Sequence, residues 1–475
     1  MEKLREVKFS LKDVFCFAVI CFLAILLWQN FAILLDTTVW RHDALYYRAT
    51  YYKKLSTEGR WINYIFFFML KSLPPHIVIA LSLACFCFFG YKIAKDFTQD
   101  NLFAVIFALA LVQIHPIYSM IHWPVTPFLN YVLLAFTPFL KKALSKRAFF
   151  ICTGILFFGL FFNFYDLMPL LFLSEVKDRK SFVEIMLLWI LGFVVGYAVT
   201  QVITLLITGS FIQIAAWREP NPIKTFADLV QNIKTEYQWF CEGISGFFAR
   251  RSVKIAFGCF AACLAYLVKK NPTHTGGRKT LCARLLFLFM VIISLYVQQV
   301  SLGVEVAIRT TFPLYCGLFA VALCCYNKKS LRYITIIVLS SVALVFWRDN
   351  TNDLSCFRDI TNTWQTELKS ICPAPTLHKG IKIYLHKGYN TEEVAASEQA
   401  ICKVIGKNFK YTQNLGADYR WLPVALSIGF NINNAELCDK ELPARFTKIS
   451  PNGLYRYGYE DGYLYLTIDK KHLTQ

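Results

Sequence analysis

The sequence predicts a polytopic α-helical membrane protein followed by a small α/β domain. Three observations carry that prediction. Of 475 residues, 56% are hydrophobic and 17% charged, with a mean hydropathy of +0.43; soluble domains hold about 45–50% apolar and about 25% charged residues. Apolar runs of membrane-crossing length alternate with short basic tracts as far as Trp347. After Arg348 no such run remains, and polar and apolar residues mix. This balance excludes a soluble enzyme, a disordered chain and a secreted disulfide scaffold. Most of the 16 cysteines, such as Cys85, Cys87, Cys259, Cys263, Cys324 and Cys325, lie in apolar runs, where Cys acts as a small hydrophobe.

The first span runs from Val14 to Leu35 and reads as an uncleaved signal anchor with its N-terminus in the cytoplasm, because no small-x-small site follows it. Further spans centre on Ser82, Leu109, Leu134, Gly154, Leu171, Gly192, Ala261, Val291, Leu318 and Leu339, about eleven in all. The sixth, Leu167 to Val176, is short and holds Pro169; without it, everything downstream inverts. With it, the basic tracts around Lys12, Lys92, Lys141, Lys177, Lys270 and Lys329 all fall on the cytoplasmic side. The net charge of +19 is then explained by topology and by anionic membrane lipid, and no nucleic-acid partner is expected. Gly192-Phe-Val-Val-Gly196 fits the small-residue packing motif of membrane helices.

The opposite face receives a loop from Asp36 to Tyr64, a turn from His115 to Pro124, the stretch Ser210 to Arg251, and everything after Arg348. Within Ser210–Arg251, an amphipathic helix is expected from Thr225 to Phe240, capped by Thr225 with Asp228 at its third position. The division falls between a membrane part, 1–347, and an extracytoplasmic domain, 348–475. In that domain Thr363–Ile371 and Thr391–Ile405 read as helices. Lys382–Leu385 and Leu454–Ile468, turning at Glu460-Asp461-Gly462, read as strands. Cys356, Cys372, Cys402 and Cys438 are an even set that allows one or two disulfides in an oxidising compartment.

No nucleotide-cradling glycine motif, no D-x-D and no zinc spacing occurs, so neither a metal nor a resident cofactor is called for. The informative stretch is the first outer loop, in which His42-Asp43-Ala-Leu-Tyr46-Tyr47 precedes Gly59-Arg60-Trp61. An aromatic belt with snorkelling cations accounts for its other Tyr and Lys residues. It accounts less well for Asp43 and Arg60, opposite charges held in one short interfacial loop.

This pattern resembles the serotype-converting membrane glucosyltransferases of the glucosyl transferase II type, which belong to the GT-C class. The resemblance spans the membrane part and extends to Phe164-Tyr165-Asp166 and Ala307-Ile308-Arg309-Thr310. It departs from the family at His42, where a second acid is common, so Asp43 is the acid of the motif and Asp36 the fallback. The resemblance implies that a sugar, glucose by analogy, moves from a polyprenyl-phosphate donor to a hydroxyl of O-antigen or another envelope glycan. That places the chain in a bacterial inner membrane, with its C-terminal domain periplasmic, and with a flippase and a polyprenyl-phosphate sugar synthase acting upstream.

Such a transfer needs a base for the acceptor proton and cations for the departing phosphate. Asp43 is the candidate base, and Arg60 and Arg309 the phosphate candidates, since guanidinium matches phosphate bidentately. Tyr46, Tyr47, Trp61 and His42 complete the first-loop set. His115, His122, Tyr165, Asp166, Glu305 and Arg218 are further candidates at span ends. Two other readings remain at this level. An O-antigen polymerase or ligase would carry a large Arg-rich middle loop, and a flippase or transporter would show internal repeats.

Overall fold

A computed structural model of the chain describes residues 10–37, 51–70, 73–120, 124–214, 220–270, 275–304, 306–326, 329–384, 424–425, 428–430, 434–438 and 440–468. Helix α1 (Leu11–Leu35) starts at a reciprocal cap, in which Ser10 Oγ accepts the Asp13 N–H and the Asp13 carboxylate accepts the Ser10 N–H. Next come α2 (Tyr52–Glu58), α3 (Trp61–Leu70), α4 (Pro75–Thr98), α5 (Asn101–Leu111), α6 (His115–Met120), α7 (Val125–Ala143) and α8 (Lys146–Phe158). A 3-10 helix, Phe162–Glu175, leads to α9 (Arg179–Thr208). The set closes with α10 (Phe226–Phe247), α11 (Arg251–Lys270), α12 (Thr275–Gln299), α13 (Phe312–Tyr326) and α14 (Arg332–Ile371).

Helices α1, α4, α9, α12 and α14 are long and apolar enough to cross a membrane, as a helical membrane protein requires. They expose Phe17 and Trp28, Leu187 and Val194, or Ile337, an apolar surface suited to lipid. Most of the remaining expected spans are shorter or less apolar helices. α5, α8 and α13 have only 11, 13 and 15 residues. α7 reaches 19 residues but falls short in composition, whereas α11 has the 20 residues that a span needs. The short ones are interior: Phe103, Phe149, Phe150 and Phe319 are all buried. A helix facing lipid must stay apolar for its full crossing, whereas one surrounded by protein can stop early because neighbours satisfy its ends.

The segment expected as the sixth span is the buried 3-10 helix. At a rise of ~2.0 Å per residue its 14 residues reach about 28 Å. Phe162 stacks on Phe158 at 5.7 Å at one end, and Glu175 lies 3.1 Å from Lys146 at the other. The 3-10 helix therefore runs back along the whole of α8. α9 then runs parallel to α8, with Gly192 and Gly196 against Gly154. A methyl on Gly154 would meet the Gly192 carbonyl, so the expected packing motif is used for close approach.

The basic tracts converge on one end of the bundle. Lys12 pairs with Asp100 at 2.6 Å, and the Tyr326 hydroxyl donates to the same carboxylate at 2.8 Å. Lys141 and Lys146 share Glu175, while Arg284 donates to the Val176 carbonyl and lies over Phe97. The opposite end is tied by polar contacts among interior helices. Asn350 donates to the Gln113 carbonyl at 2.7 Å, and Thr351 to Asn30 Oδ1 at 2.7 Å.

α14 has 40 residues and passes position 348 without a break. Its last turns, with Ile360, Trp364 and Leu368, build a second core against Ile381, Ile383, Leu464 and Leu466. These strand residues belong to a sheet of β1 (Gly380–Tyr384), β2 (Ala435–Cys438), β3 (Lys448–Ile449), β4 (Tyr455–Glu460) and β5 (Tyr463–Ile468), ordered β2-β1-β5-β4-β3. β1 is parallel to β2 and β5, and β4–β5 is a hairpin turning at Asp461-Gly462, both at positive φ. Cys356 is disulfide-bonded, whereas Cys372 and Cys438 are free. Cys402 and the expected helix Thr391–Ile405 lie outside the described residues.

Candidate functional site

The candidate residues that the structure describes gather at the end of the bundle opposite the basic tracts. Gly59 ends α2 at φ +70, in the left-handed region that favours glycine, and turns the chain straight into α3. Arg60 sits in that turn, 6% exposed. Its guanidinium pairs with Glu58, donates to the Tyr51 hydroxyl at 3.5 Å and lies 4.5 Å above the Phe161 ring. The acid beside Arg60 among the described residues is thus Glu58. The Trp61 indole packs on Gly159, and the Ile62 N–H donates to the Gly159 carbonyl at 2.9 Å. Arg60 and Trp61 are thereby fixed where the 3-10 helix begins.

Arg309 lies in a single 3-10 turn, Ile308–Thr310, just ahead of α13 and packed beside α6. The first residue of α13, Phe312, meets Phe164 of the 3-10 helix at 4.9 Å. The two arginines consequently flank the first turns of that one element. His115 opens α6, buried, with Nδ1 3.0 Å from Asn350 Oδ1. Burial pushes its pKa below the usual value, which favours the neutral ring. Next to it Arg250 donates to Asp349 at 3.0 Å.

Asp166 is fully buried on the 3-10 helix, and its Oδ1 accepts from Gln298 Nε2 at 2.6 Å. Its neighbour Tyr165 has a different task. The Tyr165 hydroxyl sits against the carbonyls of Trp189 at 2.8 Å and Phe150 at 3.3 Å, so it ties α8 to α9. The fallback acid, Asp36, ends α1 and reaches Arg358 at 3.7 Å. Asp43, His42, Tyr46, Tyr47, His122, Arg218 and Glu305 lie outside the described residues.

Glu236, Tyr296 and Gln298 were not singled out by the sequence. The available signal was the α10 helix itself. Phe226, Val230, Ile233 and Tyr237 form its exposed apolar stripe, which leaves Glu236 on the face turned to the bundle. Among the described residues, no group of three or more His, Cys, Asp and Glu could hold a metal ion. Set against family models, curated proteins and solved structures, the chain finds no match.

Proposed function

We propose that this chain is an inverting glycosyltransferase of the GT-C class. It moves a hexose, glucose by the resemblance to the serotype-converting glucosyltransferases, from a polyprenyl-phosphate donor to a hydroxyl of an envelope glycan. The observation that carries the reading is the pair Arg60 and Arg309 flanking the start of the buried 3-10 helix that holds Asp166, at the end of the bundle away from the basic tracts. Cations beside a membrane-bordered aromatic lining suit a lipid phosphate. A polyprenyl phosphate departs as a stable anion, so the protein need only hold that anion and take the acceptor's proton. Arg60 and Arg309 hold it, and Asp43 takes the proton.

On this reading the basic end is cytoplasmic, and the 3-10 helix counts as one of about eleven crossings. The C-terminal sheet then lies in the periplasm of a bacterial cell. The Cys356 disulfide supports that placement, because disulfides persist in oxidising compartments. Purified protein in nanodiscs, given a radiolabelled polyprenyl-phosphate glucose and a lipid-linked glycan, tests the reading. Label appearing in the glycan with release of polyprenyl phosphate supports it. Passage of the intact lipid across a bilayer without transfer makes the chain a transporter.

A further inference from the structure

Buried polar groups in a folded protein are nearly always hydrogen-bonded, because an unmet buried group has lost its water and gained nothing in return. Two buried polar side chains, Glu367 and Asn232, show the rule. Glu367, buried under the sheet, accepts from the Asn452 backbone at 2.7 Å and from its side chain at 2.6 Å. Asn232, on the inner face of α10, donates to the carbonyls of Asn221 at 2.8 Å and Val300 at 2.9 Å. One turn further along the same face the rule breaks. Glu236 is 2% exposed, and neither of its oxygens has a partner among the described residues.

The exception is not isolated. The last turns of α12 carry Tyr296, whose buried hydroxyl also has no partner among the described residues and which sits in the field of Glu236, and Gln298, whose Oε1 has none there either. Gln298 donates to Asp166, and Asp166 Oδ2 is unmet in turn. Helix α12 packs against both α10 and the 3-10 helix. Phe240 meets the Tyr296 ring edge-on at 5.3 Å, and Phe162 packs on the same cluster. Among the described residues, the unmet atoms of this group are four side-chain oxygens of Glu236, Gln298 and Asp166 and the Tyr296 hydroxyl, on α10, the 3-10 helix and the α12 that packs against both, with aromatic rings beside them. The ligand that complements such a set is rich in hydroxyl donors and has an apolar C–H face, which describes a pyranose ring.

We propose that Glu236, Tyr296, Gln298 and Asp166 form the subsite for the hexose carried by the lipid phosphate. This rests on the glycosyltransferase reading and adds to it where the sugar sits. Arg60 and Arg309 would hold the phosphate, and these acceptors would take the ring hydroxyls.

The test titrates full-length protein in nanodiscs with two probes, a short-chain prenyl-phosphate glucose and the same prenyl phosphate without sugar, following tryptophan fluorescence. Wild type should bind the sugar-bearing probe more tightly. Glu236→Gln and Tyr296→Phe should each remove roughly 10- to 100-fold of that preference, the loss expected when a buried hydrogen-bonding group is left unpaired. Their affinity for the plain phosphate should be unchanged, which also shows that the variants are folded. If wild type prefers the sugar-bearing probe and both variants keep that preference, the subsite is wrong while the enzyme reading stands. If wild type binds the plain phosphate and gains nothing from glucose, the subsite is likewise overturned. If it binds neither probe, the reading beneath the subsite falls with it. Binding that EDTA abolishes in wild type and not in Glu236→Gln would make the ligand a metal ion.

Discussion

Glu175, the last residue of the 3-10 helix, lies 3.1 Å from Lys146, the first residue of α8. The chain that leaves that level through α8 is back at it before α9 begins. The 14-residue segment, with a proline inside it, covers the length of α8, whose 13 residues rise about 20 Å at ~1.5 Å each. Everything downstream keeps the alternation that places the basic tracts together, and α14 delivers the sheet to the opposite end. A cysteine at Lys379, just ahead of β1, should therefore react in intact inner-membrane vesicles of native orientation with an impermeant maleimide. Reaction only after permeabilisation would reverse the topology.

Gly192 is the point of closest approach between α8 and α9. A methyl there would run into the Tyr165 hydroxyl and the Phe150 carbonyl. Gly192→Ala should lower stability by about 1–3 kcal/mol, the usual range for overpacking. Gly258→Ala on α11, where nothing stands within 4 Å, is the matched control and should be neutral or slightly stabilising. Thermal unfolding in detergent distinguishes them.

Arg60→Ala should reduce turnover of the lipid donor by roughly 10²–10³-fold, about 2.7–4 kcal/mol, if its contact to the leaving phosphate behaves like a lost oxyanion donor. Arg60→Lys should recover little, because a point charge cannot reproduce the bidentate fork. Arg309→Ala should behave like Arg60→Ala. Unchanged turnover in all three would remove both arginines from the site. Steady-state kinetics with donor and acceptor varied separately provide the readout.

Burial pushes the Glu236 carboxyl up from 4.5 to about 8. The folded chain therefore keeps a proton that the unfolded chain has already released. Stability must fall as pH rises through that interval and level off above it. The melting temperature of the ligand-free protein, compared between about pH 5 and pH 8, should drop more for wild type than for Glu236→Gln. Parallel curves would mean that Glu236 is ionised or partnered.

The outer helices were legible because lipid contact forces an unbroken apolar run, as in α1 and α9. The interior helices look like the outer ones in sequence because Phe103 and Phe319 are just as apolar, and hydropathy does not record that their neighbours are protein. Local chemistry read well where it is local: Thr225 with Asp228 caps α10, and Glu460-Asp461-Gly462 turns the β4–β5 hairpin. The Glu236–Tyr296 and Asp166–Gln298 groupings were not legible. Each joins residues distant in sequence, through packing that no periodicity encodes. The Tyr165 contacts to carbonyls on α8 and α9 were hidden for the same reason, since its place beside Asp166 in the chain says nothing of them.

The central claim is sugar transfer with Asp43 as the base. The most direct measurement is the initial rate of label transfer from radiolabelled polyprenyl-phosphate glucose to the lipid-linked glycan, for wild type and Asp43→Asn at equal protein level, with Asp36→Asn alongside. Loss of a positioned general base predicts a rate roughly 10²–10⁴-fold lower for Asp43→Asn, with Asp36→Asn near wild type. A dead Asp36→Asn beside an active Asp43→Asn would move the base to the end of α1. Full activity in both, or no transfer by wild type, would contradict the account.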